Sequence, residues 1–169
     1  KANGQSLFSL PFSQFGMLLA HCGLAVTVIG VIMVSNYSIE RTLSMSPGDD
    51  MELKGYHFTF LSIHDNTGPN FHGARAEIQL ADNAGHAKIL ETEKRIYNIS
   101  GMALSKVALD INVARDLYVA LGEPLEGQAW SFRIYYKPFV RWMWWGGLIM
   151  LVGGVWAACD KRYRVISPN

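Results

Sequence analysis

The chain has 169 residues, of which 50% are hydrophobic and 17% charged, against about 25% charged in an average soluble domain. A net charge of +1 leaves no strong nucleic-acid footprint, so no nucleic-acid partner is expected. The two cysteines, Cys22 and Cys159, form no CxxC pair, which excludes a thiol-redox enzyme and a disulfide-stapled domain.

The chain opens on Lys1 rather than Met and reads as a fragment, a processed product or part of a longer chain. Residues 1–14, with Pro11 and one charge, read as a lead-in on the cytoplasmic membrane surface. Residues 15–35 form the first predicted span: from Phe15 to Val34 there is no Asp, Glu, Lys or Arg, and crossing a bilayer core takes about 20 apolar residues. A secretory signal peptide is the competing reading. It needs a basic start, a shorter apolar run and a small-residue cleavage site, none of which this segment has. Gly16, Ala20, Gly23 and Gly30 would let other helices approach this one closely.

Residues 36–139 are predicted to be β-rich. Tyr56, Phe58 and Phe60 alternate with His57 and Thr59. Ala74, Ala76, Ile78 and Leu80 alternate with Arg75, Glu77 and Gln79. Trp130, Phe132, Ile134 and Tyr136 alternate with Ser131, Arg133 and Tyr135. Period-two patterns of this kind mark half-buried strands. Pro47-Gly48-Asp49, Gly68-Pro69-Asn70, Asp82-Asn83-Ala84-Gly85 and Gly122-Glu123-Pro124 supply the turns, and the whole suggests a small barrel or sandwich. A short helix is expected around Ser105 to Ile111.

Residues 140–159 form the second predicted span, bordered by Trp142, Trp144 and Trp145 on one side and by Lys161, Arg162 and Arg164 on the other, an aromatic belt and a basic anchor. Lys137-Pro138 is the only joint between the last strand and this helix, so the β-rich domain is expected to be held close to the membrane. The tail, 160–169, is basic and should stay in the cytoplasm; two spans then place the N-terminus there too and the middle domain outside. The fold class is therefore a membrane protein, with two transmembrane α-helices flanking an exported β-rich domain. Cys22 and Cys159 fall at different depths and read as packing residues.

His21 is the residue that points to chemistry. It sits about six residues into the first span, roughly 9 Å at 1.5 Å per residue, where an ionisable side chain is costly and marks a protein interior or a functional site. Imidazole is a good haem ligand, and Met17, Leu18, Leu24 and Ala25 on its face form an apolar wall. A packing histidine bonded to a neighbouring helix fits the same residues, and the residues leave both readings open. His57, His64, His72 and His86 show no zinc-ligand spacing and read as solvated, although His64 and His72 flank one turn and can approach each other. If His21 ligates haem, the opposing ligand lies outside this chain. No catalytic residue is assigned, since no phosphate loop or nucleophile motif occurs.

Leu18-Leu19-Ala20-His21-Cys22-Gly23, Met45-Ser46-Pro47-Gly48-Asp49, Gly68-Pro69-Asn70 and Glu93-Lys94-Arg95-Ile96-Tyr97 together resemble the C-terminal part of the CcmF-type cytochrome c haem lyases. So do the runs Arg115 to Pro124 and Trp130 to Trp142, and the tail Asp160-Lys161-Arg162-Tyr163-Arg164. The resemblance covers nearly the whole chain in order. It implies a role in attaching haem covalently, through two thioethers, to the CxxCH motif of apocytochrome c at the outer face of the bacterial inner membrane; a related form works in the mitochondrial inner membrane of plants. The middle domain would then be periplasmic. It implies a transmembrane b-type haem that is not transferred, with His21 as one axial ligand and the second supplied upstream. The implied partners are the remainder of the haem lyase, a haem chaperone and other Ccm proteins, apocytochrome c, quinol as electron source and the lipid bilayer. The Trp-rich haem-handling region and its external histidines are absent here, so this segment alone is expected to be neither a competent lyase nor a complete haem site. The alternative is a structural or docking module of the Ccm complex without haem contact.

Overall fold

The computed structural model describes residues 12–159; the predicted tail at 160–169 and most of the predicted lead-in lie outside them. The described chain divides into two units, a pair of helices and a β unit at Ser38–Lys137.

The helical unit consists of α1 (Phe12–Tyr37) and α2 (Val140–Ala158). α1 has 26 residues, about 39 Å at 1.5 Å per residue. Over Ser13–Tyr37 its mean hydropathy is 2.4, and among the described residues it is the one helix long and apolar enough to cross a membrane. α2 has 19 residues, and Arg141 with three tryptophans makes its first turns less apolar. The two helices pack antiparallel along a seam of small residues. A Cβ on Gly16 would stand 2.6 Å from the Ala157 nitrogen, and one on Gly23 2.6 Å from the Met150 nitrogen. At the other end, one on Gly30 would stand 2.9 Å from Met143. From the opposite side Gly146 abuts the Gly23 carbonyl and Gly153 abuts Ala20. The seam glycines recur every seven residues on each helix, the repeat that keeps one stripe facing a partner helix. Backbones this close leave no room for a side chain at the glycine positions.

The β unit contains nine strands: β1 (Ile39–Met45), β2 (Asp50–Leu53), β3 (Tyr56–Asp65), β4 (Phe71–Asp82), β5 (Ala87–Tyr97), β6 (Ala103–Lys106), β7 (Ala108–Ile111), β8 (Arg115–Pro124) and β9 (Trp130–Pro138). They form a four-stranded sheet, β1-β9-β8-β7, and a five-stranded sheet, β2-β3-β4-β5-β6. The two face each other as a β-sandwich, which settles the barrel-or-sandwich alternative. The three alternating segments each put their apolar face inward: Phe58 and Phe60, Ala74 to Leu80, and Phe132 with Ile134 are all buried. Phe60 and Phe132 meet across the sheets edge to face, with centroids 4.8 Å apart, a favoured aromatic geometry. The β2–β3 turn is Lys54-Gly55, with positive φ at both residues, as a two-residue hairpin requires.

The expected helix around Ser105 to Ile111 is not formed. That segment is β6 and β7, with one residue, Val107, between them. β6 pairs with β5 and β7 with β8, so a nearly continuous extended stretch passes from one sheet to the other. Val107, Leu109 and Ile111 alternate at period two, the strand period, and their sheet pairings decide against a helix.

Candidate functional site

His21 follows Ala20 directly on α1. The seam residues at 16, 20, 23, 27 and 30 define the side of α1 turned to α2. At 3.6 residues per turn His21 stands roughly 140° around the axis from that side. It is exposed, as are Met17, Leu18, Leu24 and Ala25 of the predicted apolar wall. Its Nδ1 lies 2.7 Å from the Met17 carbonyl oxygen, one turn earlier. A carbonyl oxygen only accepts, so Nδ1 carries the proton in this bond. The lone pair of the neutral ring is then on Nε2, directed away from the helix backbone. This is how a backbone carbonyl fixes the tautomer of a metal-ligating histidine. The donor set on the described residues is thus one imidazole nitrogen on an apolar, uncharged surface. That fits one axial position of a haem and supplies no second one.

Three of the four histidines of the β unit have side-chain partners. His57 Nδ1 is 3.1 Å from Asp50, and this hydrogen bond holds the Asp50 carboxyl below its usual range. His86 Nδ1 is 3.0 Å from Asp82, and likewise lowers it. His72 Nδ1 is 2.9 Å from the Asn98 side-chain oxygen. His64 is paired in register with Arg75. Among the described residues no three His, Cys, Asp or Glu side chains converge on a metal-sized site. Cys22 and Cys159 are free thiols.

Two charged clusters in the β unit escaped the sequence reading. In the first, the Glu93 side chain is 1% exposed and is held by three cations. Arg95 donates to it from Nε at 2.8 Å, Arg75 approaches at 3.1 Å and Lys106 at 3.4 Å. Burial pushes the Glu93 pKa up, but the Arg95 bond and the charges of Lys106, Arg95 and Arg75 outweigh it and hold the pKa below the ordinary value. Register explains the grouping: Arg75, Glu93 and Lys106 form one row across β4, β5 and β6. In the second cluster, Asp110 pairs with Arg115 and with Lys88 at 3.2 Å. Arg115 stacks over the Tyr56 ring at 4.4 Å, a cation–π contact. The sequence signal was present in Glu93-Lys94-Arg95, but the register that sets Arg75 and Lys106 on either side of Glu93 joins three strands, and no local pattern announces that. Both clusters brace strands.

Residues 36–138 match the family described as CcmF C-terminal beta-sandwich. The chain is 48% identical over 157 residues to the cytochrome c-type biogenesis protein CcmF of Pseudomonas aeruginosa, covering 93% of this chain and 24% of that protein. It is 47% identical over 159 residues to the protein of the same name from Escherichia coli, covering 94% of this chain and 25% of that one. To the cytochrome c-type biogenesis protein ccl1 of Rhodobacter capsulatus it is 35% identical over 158 residues. The solved structure named cytochrome c heme lyase CcmF superposes with a TM-score of 0.69 at 19% identity, over 94% of this chain and 26% of that one, a likeness of fold. The chain spans about a quarter of the length of the relatives it matches. With a matched sandwich and close relatives along its helices as well, the chain belongs to the CcmF C-terminal beta-sandwich family.

Proposed function

We propose that this chain serves cytochrome c maturation as the C-terminal segment of a membrane haem lyase, and that His21 Nε2 is one axial ligand of a b-type haem within the bilayer. The observation that carries this is the His21–Met17 hydrogen bond on the side of α1 turned away from α2. It leaves a ligating nitrogen facing outward from an apolar surface, at a depth where an idle imidazole is costly. When bound, a haem supplies a redox-active iron. The chain's own contribution is to hold the imidazole tautomer, present Leu18, Ala25 and their neighbours to the macrocycle, and keep water away. The second axial ligand comes from a segment outside this chain.

α1 and α2 are the two spans, both termini are cytoplasmic and the β unit is periplasmic in the bacterial inner membrane. The basic residues after 160 and the tryptophans of α2 support that orientation. The reaction served is thioether formation between a substrate haem and the CxxCH motif of apocytochrome c, with a haem chaperone and the other Ccm proteins as partners and quinol as reductant. A bracing role without haem contact is the second reading, favoured by one observation: the glycine seam gives α1 a packing duty that does not involve His21. The reduced-haem optical spectrum of the full-length protein carrying His21→Ala separates the two.

A further inference from the structure

β7 is amphipathic with its apolar side turned outward. Ala108 is buried against the core and Asp110 is engaged by Arg115 and Lys88, so the inward side is small and polar. The outward side carries Leu109, 45% exposed, and Ile111, 49% exposed, and the turn that follows adds Val113, 66% exposed. Soluble domains rarely leave such a contiguous aliphatic ridge uncovered. β8 runs into β9 through a turn closed by the Leu125 N–H on the Ala129 carbonyl, so the start of β8 lies beside the end of β9. Ile111 pairs with Asp116 at that start, and Ile39 pairs with Tyr136. The β7–β8 turn therefore projects from the end of the sheet at which the chain enters and leaves the β unit. One residue, Ser38, separates Ile39 from a helix apolar enough to cross a bilayer. Beside the ridge, the Lys137 ammonium lies over the rings of Tyr118 and Tyr135 at 5.5 and 5.6 Å. Aliphatic, tyrosine and lysine together are the composition of an interfacial membrane anchor, with the cation suited to anionic headgroups.

We infer that the β7–β8 turn and the outward side of β7 dip into the headgroup region of the lipid bilayer. This rests on the reading of α1 as a span. The test places an environment-sensitive fluorophore on Val113→Cys, and separately on Leu109→Cys, in full-length protein lacking Cys22 and Cys159 and reconstituted in phosphatidylcholine–phosphatidylglycerol nanodiscs. Spin-labelled lipids quenching near the headgroups should quench both sites several-fold more than a label on Glu126→Cys, exposed in the β8–β9 turn at the opposite end of the sheet. Labels that stay unquenched, whether water-exposed or shielded by protein, overturn the inference. Val28→Cys on α1 is the companion: modification by a membrane-impermeant maleimide would sink the spanning reading itself, whereas a shielded Val28 with an unquenched Val113 sinks only the inference.

Discussion

The Thr92 hydroxyl, fully buried, receives the backbone N–H of Leu121 at 3.1 Å and donates to the Lys106 carbonyl at 3.0 Å. Leu121 belongs to the four-stranded sheet and Thr92 and Lys106 to the five-stranded one, so one hydroxyl ties the two layers together. Ser105 adds a second tie to the Leu121 carbonyl at 3.0 Å.

Replacing Thr92 by valine keeps the shape and strands a buried N–H and a carbonyl. Leaving such groups unpaired costs about 1–3 kcal/mol, so Thr92→Val should destabilise the sandwich by roughly 2 kcal/mol while Thr92→Ser keeps most of the stability. Amide exchange at Leu121 in the full-length protein should accelerate in the valine variant. Unchanged protection there would show that the inter-sheet bond contributes nothing.

Glu93 sets an acid limit. Its folded pKa lies below the ordinary carboxylate value, so its stabilisation is fully present above about pH 4.3, the unfolded value, and disappears as pH falls through the lower folded value. Glu93→Gln should cost about 2 kcal/mol at pH 7. That is less than a fully buried pair would lose, because Arg75 and Lys106 are partly in water. The difference between wild type and variant should shrink as pH drops from 5 toward 3. A pH-independent difference in thermal midpoint would refute this sign.

Period-two alternation at Tyr56–Phe60, Ala74–Leu80 and Trp130–Tyr136 made the core strands legible, because burial on one face imposes that period directly. The helix expected at Ser105–Ile111 failed where tertiary pairing overrides local signal: β6 and β7 are four residues each and belong to different sheets. The outward aliphatic side of β7 misleads in the same way, since an apolar face ordinarily points inward. For His21 the sequence displayed depth and apolar neighbours. Which side of α1 faces α2 depends on where the glycines of both helices meet, and the Met17 bond that orients the ring exists only once the helix has formed.

The glycine seam predicts an asymmetry along α2. Gly146 is pressed against Gly23, while Gly147 has open space where a Cβ would stand. Gly146→Leu should force the helices apart and markedly lower the thermal midpoint of the detergent-solubilised protein; Gly147→Leu should leave it within a degree or two. Equal effects at the two positions would refute the seam.

The β unit should be separable from haem ligation. Replacing Ser38–Lys137 by a short linker in the full-length protein should abolish holocytochrome c assembly while the optical bands of the membrane haem persist. Normal assembly without the β unit would remove it from the function.

The most direct measurement is the reduced optical spectrum of purified full-length protein carrying His21→Ala, recorded before and after adding imidazole. Free imidazole should enter the space vacated by the side chain, so the account predicts loss of the b-type bands in the variant and their return with imidazole. Bands unchanged by His21→Ala would contradict axial ligation by His21 and leave the bracing role of α1 in its place.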